Sequence, residues 1–286
     1  MGLTTLIAWC HATVNFWWGC AKISAGCRNC YAEGQSARFS HGRASWGPAG
    51  SRYRRPRSAV LELLKLEQRA VKSGQRLRVF INSMADVFED RRDLDPDRLL
   101  FFLAAKCVPH LDLLLLTKRI DRVEDLIPDF WKNPLGPVSW PRNVWLGFSA
   151  EDQANFDSRW PVAEHLARRY FIPVLFCSAE PLLGPIDIAF AERCPGGEDE
   201  PETRSLDWLI VGGESGPGAR DCNIMWIADL VNQARGFEIP VFVKQVGSRP
   251  IMEPGPLSLP CEDPKGGDPS EWPECLRLRE FPEVSQ

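Results

Sequence analysis

The segment GCAKISAGCRNCYAE places Cys20, Cys27 and Cys30 at the spacing Cys-x6-Cys-x2-Cys, with Gly19 and Gly26 directly before the first two. Thiolates gathered in this way suit a soft metal, and glycine lets a loop turn tightly and approach a bulky group. Three readings compete. A zinc site takes four ligands, with Cys10, His11 or His41 as candidates for the fourth. A disulfide with a spare thiol fits poorly in a chain that carries no export signal. An iron–sulfur cluster on three thiolates leaves one iron open to a substrate or cofactor. Cys107, Cys177, Cys194, Cys222, Cys261 and Cys275 are scattered singly and read as packing residues.

A second set of polar residues follows apolar runs. Ser83 and Asp86 come after LRVFIN, and Thr117, Lys118 and Arg119 end LDLLLLTKR. Glu151 follows NVWLGFS, Glu180 follows VLFCSA, and Gly212, Gly213 and Glu214 end LIVGGE, while PVFVKQ contains Lys244 and Gln245. Any one of them is explained by strand ends meeting water. As a set they are the pattern of a site, because barrels of parallel strands build their active face from the loops after the strands. Lys118 and Lys244 suit a carboxylate, a phosphate or a substrate anion, or equally a partner among the rim glutamates.

From Gly34 to Leu61 the chain carries Arg38, Arg43, Arg52, Arg54, Arg55 and Arg57 without one acidic residue, interleaved with Phe39, Trp46 and Tyr53. Arginine with aromatics grips phosphates and stacks on bases, so the Arg38 to Arg57 segment is the candidate contact for a nucleotide or nucleic-acid substrate. The competing reading is a solvated loop whose arginines pair with carboxylates elsewhere. Of the tryptophans, Trp17 and Trp18 flank the cysteine loop and could shield it, and the others read as packing residues.

Positioning such residues requires elements, and the hydrophobic pattern supplies them. Strands are predicted at 77–82, 111–117, 143–149, 174–179, 207–213 and 240–245, with another near Thr13–Trp17; helices are predicted at 58–73, 96–108, 119–131, 153–169 and 224–236. The near-continuous apolarity of the strands suits a parallel sheet covered on both faces. Seven strands alternating with helices point to an α/β fold, a (β/α) TIM-like barrel that is closed or partial, with an open doubly wound sheet sharing the same rhythm. Residues 1–250 read as the barrel domain. Residues 251–286, with seven prolines, read as an irregular extension packed on it, and 192–205 as an acidic surface loop.

At 286 residues with 44% hydrophobic and 25% charged side chains, the chain has ample material for a core. Its formal charge of −4 excludes a uniformly basic nucleic-acid binder, though not a local basic patch. Without an apolar run of membrane-spanning length or a basic leader, the expectation is a cytoplasmic protein with no membrane association.

The stretch TVNFWWGCAKISAGCRNCYAE resembles the opening of an uncharacterised, phage-type family of three-cysteine-motif proteins, which are similar to radical S-adenosylmethionine enzymes. VFINSMADVF, LLLLTKRIDRVED, NVWLGFSAEDQ, SAEPLLGPID, DWLIVGGESGPGAR, PVFVKQVG and KGGDPSEWPECLRLREFP extend the resemblance over nearly the whole chain. It implies a 4Fe–4S cluster on Cys20, Cys27 and Cys30, S-adenosylmethionine as cofactor, an external electron donor, and a 5′-deoxyadenosyl radical that abstracts hydrogen from a substrate. Ser83, Asp86, Glu151, Gly212, Gly213 and Glu214 become candidates for cofactor binding, and Glu180, Lys118 and Lys244 candidates for catalytic contacts. Gly212-Gly213-Glu214 resembles the Gly-Gly-Glu element that binds the cofactor's amino group, although it follows a late strand; Ser83 and Asp86 are the closer counterparts in position. The cysteine spacing also departs from the usual x3 then x2, with Asn29 before Cys30 and the aromatic residue, Tyr31, after it. The rival reading is a zinc-stabilised nucleic-acid-binding protein without redox chemistry.

Overall fold

The computed structural model describes residues 5–133, 139–188, 205–252 and 257–283. Its strands are β1 (Ala12–Val14), β2 (Trp17–Trp18), β3 (Tyr53–Arg54), β4 (Leu77–Ile81), β5 (Leu111–Thr117), β6 (Val144–Ser149), β7 (Leu175–Ala179), β8 (Trp208–Gly212), β9 (Cys222–Asn223), β10 (Val241–Gln245), β11 (Pro250–Met252) and β12 (Leu257–Ser258). Its α-helices are α1 (Tyr31–Phe39), α2 (Pro56–Ser73), α3 (Asp95–Ala105), α4 (Val123–Leu126), α5 (Asp129–Lys132), α6 (Gln153–Arg169) and α7 (Ile224–Gly236). None of the described helices is long and apolar enough to cross a membrane.

The fold is α/β. Its main sheet runs in the order β1-β4-β5-β6-β7-β8-β10, following the chain without reversal. A doubly wound sheet reverses its strand order at a switch point, so this topology removes that alternative. The chain divides into two compact units, 1–147 with 166–173, and 148–165 with 174–286.

In the first unit β4 lies between β1 and β5, and both pairings are parallel, as from Ala12 opposite Val79 to Ile81 opposite Leu115. Helix α2 starts with Pro56 in its first turn and stops at Gly74, whose φ of 65° is left-handed. It buries Ala59, Leu63, Leu66 and Ala70, the single apolar stripe expected of a helix laid on a sheet. Where one helix is expected over 119–131, there is instead a 3-10 turn followed by the short α4 and α5. Pro128 is the reason: the residue before a proline is driven out of the helical region, and Ile127 is extended at ψ 146°. The strand expected near Thr13–Trp17 likewise ends at Val14, because side-chain amides take over from the ladder. Phe16 N–H donates to Asn82 Oδ1 and Met84 N–H to Asn15 Oδ1.

In the second unit β8 lies between β7 and β10, again parallel on both sides. Every residue of β7 and β8 is buried, which explains their continuous apolarity. Helix α7 is capped by Asn223, whose side chain accepts from Met225 N–H. Residues of the proline-rich extension cover the outer edge of β10: Val243 N–H donates to Leu278 O and Glu280 N–H to Val241 O. Phe281 packs on Trp208 and Phe242, while Trp272 and Leu276 are buried. An open strand edge is thereby closed to other chains. The expected acidic loop at 192–205 lies, except for Ser205, outside the described residues.

Candidate functional site

Each unit carries candidate residues, and the first contains the cysteines. Cys20 follows β2, Cys27 ends a 3-10 turn (Ala25–Cys27), and Cys30 is the residue from which α1 starts. All three are free, half-buried thiols. Cys30 packs against a cluster of Trp18, Ala32, Ala44 and Met84, so one side of the loop rests on apolar surface. Burial raises the Cys30 thiol above its ordinary value; the Ala32 and Glu33 backbone N–H groups and the Lys118 ammonium oppose this, and Cys27 adds to it. The first turn of α1 is thus in direct contact with the Cys30 sulfur.

Cys20 has a different environment. Arg119 Nη1 donates to its sulfur at 3.6 Å and Arg119 Nη2 to the next carbonyl, Ala21 O, at 2.7 Å. Burial pushes the Cys20 thiol up to about 12, with Asp86 adding to the effect and Arg119 opposing it. Burial alone would lower Arg119, but the Asp86 carboxylate and Cys20 outweigh it and raise the guanidinium. Among the described residues, no group of three or more His, Cys, Asp or Glu side chains is arranged as a metal site.

Asp86 is buried and accepts from Thr117 Oγ1 at 2.8 Å, Phe88 N–H at 2.9 Å, Lys118 N–H at 3.2 Å and Arg119 Nη1 at 3.1 Å. It is thus a clamp for the segment after β5. Ser83 exchanges hydrogen bonds with the Asn15 side chain, and its carbonyl accepts from Tyr31 Oη at 2.9 Å. The segment after β4 is tied to the cysteine loop again through Gly19 N–H to Met84 O and Ala21 N–H to Glu89 Oε1, 3.1 and 3.0 Å.

Glu89 and Arg52 form a bidentate pair at 2.6 and 2.9 Å, with both side chains almost wholly buried. Arg52 further donates to the carbonyls of Ser45, Gly47 and Gly50, shaping the loop before β3. Arg54 pairs with Asp97 and Arg55 with Glu62, while Arg43 lies over the Tyr53 ring. Half of the arginine segment, Arg52, Arg54 and Arg55, is therefore neutralised within the protein, as the solvated-loop reading anticipates. Sequence reading missed Glu89 and gave Arg119 no role; a glutamate inside the apolar run VFED and the pair Thr117 and Arg119 around Lys118 were the only signals.

In the second unit each rim glutamate has a cation. Glu151, fully buried, pairs with Arg159 at 2.8 Å, and Arg159 also donates to Ser149 O. Glu214 is held by Arg220 through Nε, Nη2 and the backbone N–H, at 2.9, 2.6 and 2.9 Å. Glu180 faces Lys244 at 2.9 Å and accepts from Ser178 Oγ at 3.3 Å. The glycines before Glu214 have packing reasons: a Cβ on Gly212 would meet Glu180 Oε1 at 2.9 Å, and one on Gly213 would meet Val246 O at 2.4 Å. Gly212, Gly213 and Glu214 thus have structural reasons for their residue types, and Glu180 with Lys244 is a partly exposed pair.

The candidates for a fourth zinc ligand divide by position. His11 Nδ1 accepts from Arg78 N–H at 2.8 Å, and burial, then Arg78, lower its pKa while Asp112 opposes. These neighbours lie at the starts of β4 and β5, whereas Cys20 lies beside Arg119, beyond the end of β5. Asp112 and Thr117 are separated by about 17 Å of extended strand, so His11 and the adjoining Cys10 are at the wrong end, whereas His41 follows α1, the helix that starts at Cys30.

The family whose model matches, over residues 4–255, is described as a protein of unknown function (DUF5131). No curated protein and no solved structure matches the chain.

Proposed function

We propose that this chain, which belongs to the DUF5131 family of proteins of unknown function, is a radical S-adenosylmethionine-type enzyme on a (β/α) barrel that is incompletely closed. The observation that carries the reading is the surroundings of two of the three thiols: a guanidinium directed at Cys20, and the Ala32 and Glu33 backbone N–H groups at Cys30. Sulfurs that bear negative charge on a metal need such donors, although burial, the larger effect here, raises both free thiols.

Cys20, Cys27 and Cys30 are thiols of the kind that ligate a 4Fe–4S cluster and are the residues that would hold it, but among the described residues the three are not arranged as a metal site. With S-adenosylmethionine bound, such a cluster supplies the electron for reductive cleavage of a carbon–sulfur bond of the sulfonium. The chain's own residues do the rest. Trp18 and Met84 exclude water on one side of Cys30, and Asp86 keeps Arg119 directed at Cys20. Ser83 and Lys118 are assigned to the cofactor's polar end. Glu151 and Glu214, held by Arg159 and Arg220, shape the segments after β6 and β8. For the zinc-stabilised nucleic-acid binder, His11 and Cys10 lie at the far end of the strands and three arginines of the basic segment are engaged, which leaves His41, just after α1, as its candidate for the fourth ligand.

The experiment is anaerobic reconstitution followed by an assay for 5′-deoxyadenosine with S-adenosylmethionine and a low-potential reductant. Product that requires both reductant and Cys27 supports the reading. Absence of product from protein carrying a full complement of iron and sulfide overturns it.

A further inference from the structure

We propose that the exposed face of the cysteine loop and α1 is a docking surface for a single-stranded nucleic acid, with Arg28, Arg38 and Arg43 on phosphates and Tyr31 and Phe39 stacked on bases. This goes beyond the enzymatic reading and does not depend on what the cysteines hold.

The first observation is charge. From Asn15 to Leu61 the chain has eight cationic side chains and one carboxylate, Glu33, in a protein whose formal charge is −4. Folding neutralises half of the cations: Lys22 takes Glu33, while Arg52, Arg54 and Arg55 take Glu89, Asp97 and Glu62 from outside the segment. Arg28, Arg38, Arg43 and Arg57 have no carboxylate partner among the described residues. Arg57 belongs to α2; the other three lie in the cysteine loop, on α1 and just after it. A positive surface without internal counter-charge fits a polyanion.

The second is exposed rings. Helix α1 buries only Ala32 and Ser36, and Tyr31, Gln35 and Arg38, at i, i+4 and i+7, form one outward stripe. Tyr31 is 47% and Phe39 46% exposed. The Arg38 guanidinium lies over the Phe39 ring at 5.2 Å, and that of Arg43 over Tyr53 at 4.0 Å. Arg43 Nε donates to Ser40 O at 2.9 Å, which fixes the plane, and its two Nη groups have no acceptor among the described residues. A guanidinium stacked in this way extends the ring surface while its N–H edge is free for phosphate. Tyr53 meets Trp18 edge-on at 5.9 Å and both pack with Cys30, so the surface is continuous with the cysteine loop.

The third is Gly34. It is exposed, helical rather than left-handed, and an added Cβ would meet nothing within 4 Å. Glycine weakens a helix interior, and no contact among the described residues requires it here. A bare backbone beside Tyr31 and Arg38 lets a strand lie close against α1.

The test is fluorescence anisotropy on the full chain as purified, with labelled DNA and RNA single strands of about 12 nucleotides, the corresponding duplex, and heparin as a polyanion without bases. Both single strands should bind more tightly than the duplex, whose bases are not open to stacking. Three phosphate contacts predict a slope of about −2 in log affinity against log salt, reduced by about 0.7 for each arginine lost in Arg28→Gln and Arg38→Gln. Phe39→Ala should weaken binding of the strands by about tenfold and leave heparin binding unchanged. Gly34→Gln should weaken it comparably while the melting temperature holds or rises, an effect that a purely structural glycine would not give. Lys72→Gln, in the last turn of α2 ahead of β4, controls for net charge and should bind as wild type. Affinity for both strands weaker than about 100 μM at low salt overturns the inference. So does duplex binding as tight as single-strand binding, an equal loss in Lys72→Gln, or wild-type binding in both Phe39→Ala and Gly34→Gln. These side chains are exposed, and each variant's melting temperature confirms that it is folded. Because the protein needs no reconstitution, the result is separate from the fate of the enzymatic reading.

Discussion

Replacing Glu89 by alanine removes the acceptor of three hydrogen bonds: two buried ones from Arg52, at 2.9 and 2.6 Å, and a partly buried one from Ala21 N–H, at 3.0 Å. The Arg52 side chain has no exposure, so its charge would be stranded away from water. Breaking one partner of a buried pair costs about 3–5 kcal/mol. Arg52 would keep the carbonyls of Ser45, Gly47 and Gly50, which places the cost at the lower end, about 3 kcal/mol. Urea denaturation at pH 7 measures it, and thermal unfolding should fall by about 6–12 °C. Glu89→Gln, which keeps an acceptor, should lose less. An Arg52→Met/Glu89→Leu double variant should show a coupling of at least about 1 kcal/mol. A loss below about 1 kcal/mol in Glu89→Ala is the behaviour of a solvated surface pair and would refute the anchoring of the cysteine loop by this contact.

Other outcomes follow from the same geometry. Burial pushes the Cys222 thiol from 9.0 up to about 12, so the folded state holds a proton that the unfolded chain releases near pH 9. Its contribution to stability is therefore fully present below about pH 9 and declines by about 1.4 kcal/mol per pH unit toward pH 12; Cys222→Ala should lose one proton's share of that slope in urea titrations between pH 8 and 10.5. Gly213→Ala must displace backbone at Val246 O and should cost about 2 kcal/mol or more, measured by urea denaturation. By contrast Gly34→Ala in α1, where an added Cβ meets nothing within 4 Å, should stabilise by about 0.5–1 kcal/mol and raise the melting temperature.

Much of the fold was legible in the chain because burial on both faces leaves a strand uniformly apolar. LDLLLLT matches β5 at both ends, and 224–236 coincides with α7. The interruption of 119–131 was legible in principle, since Pro128 lies inside the expected helix. Helix α1 was not, because it buries only Ala32 and Ser36 and so leaves no apolar stripe. At the site, charge alone misled. Asp86, Glu151 and Glu214 stand out as carboxylates after strands, yet each is matched to an arginine that sequence spacing does not reveal: Arg119, Arg159 and Arg220. Pairings at separations of eight to 37 residues, such as Glu151 with Arg159 and Arg52 with Glu89, become visible only once the chain is folded.

The most direct measurement is the metal and acid-labile sulfide content of anaerobically purified and reconstituted protein, set beside Cys20→Ala, Cys27→Ala and Cys30→Ala. The account predicts about four irons and four sulfides per chain in wild type and loss of both in each variant. One stoichiometric zinc without sulfide, or a cluster indifferent to all three substitutions, would contradict it.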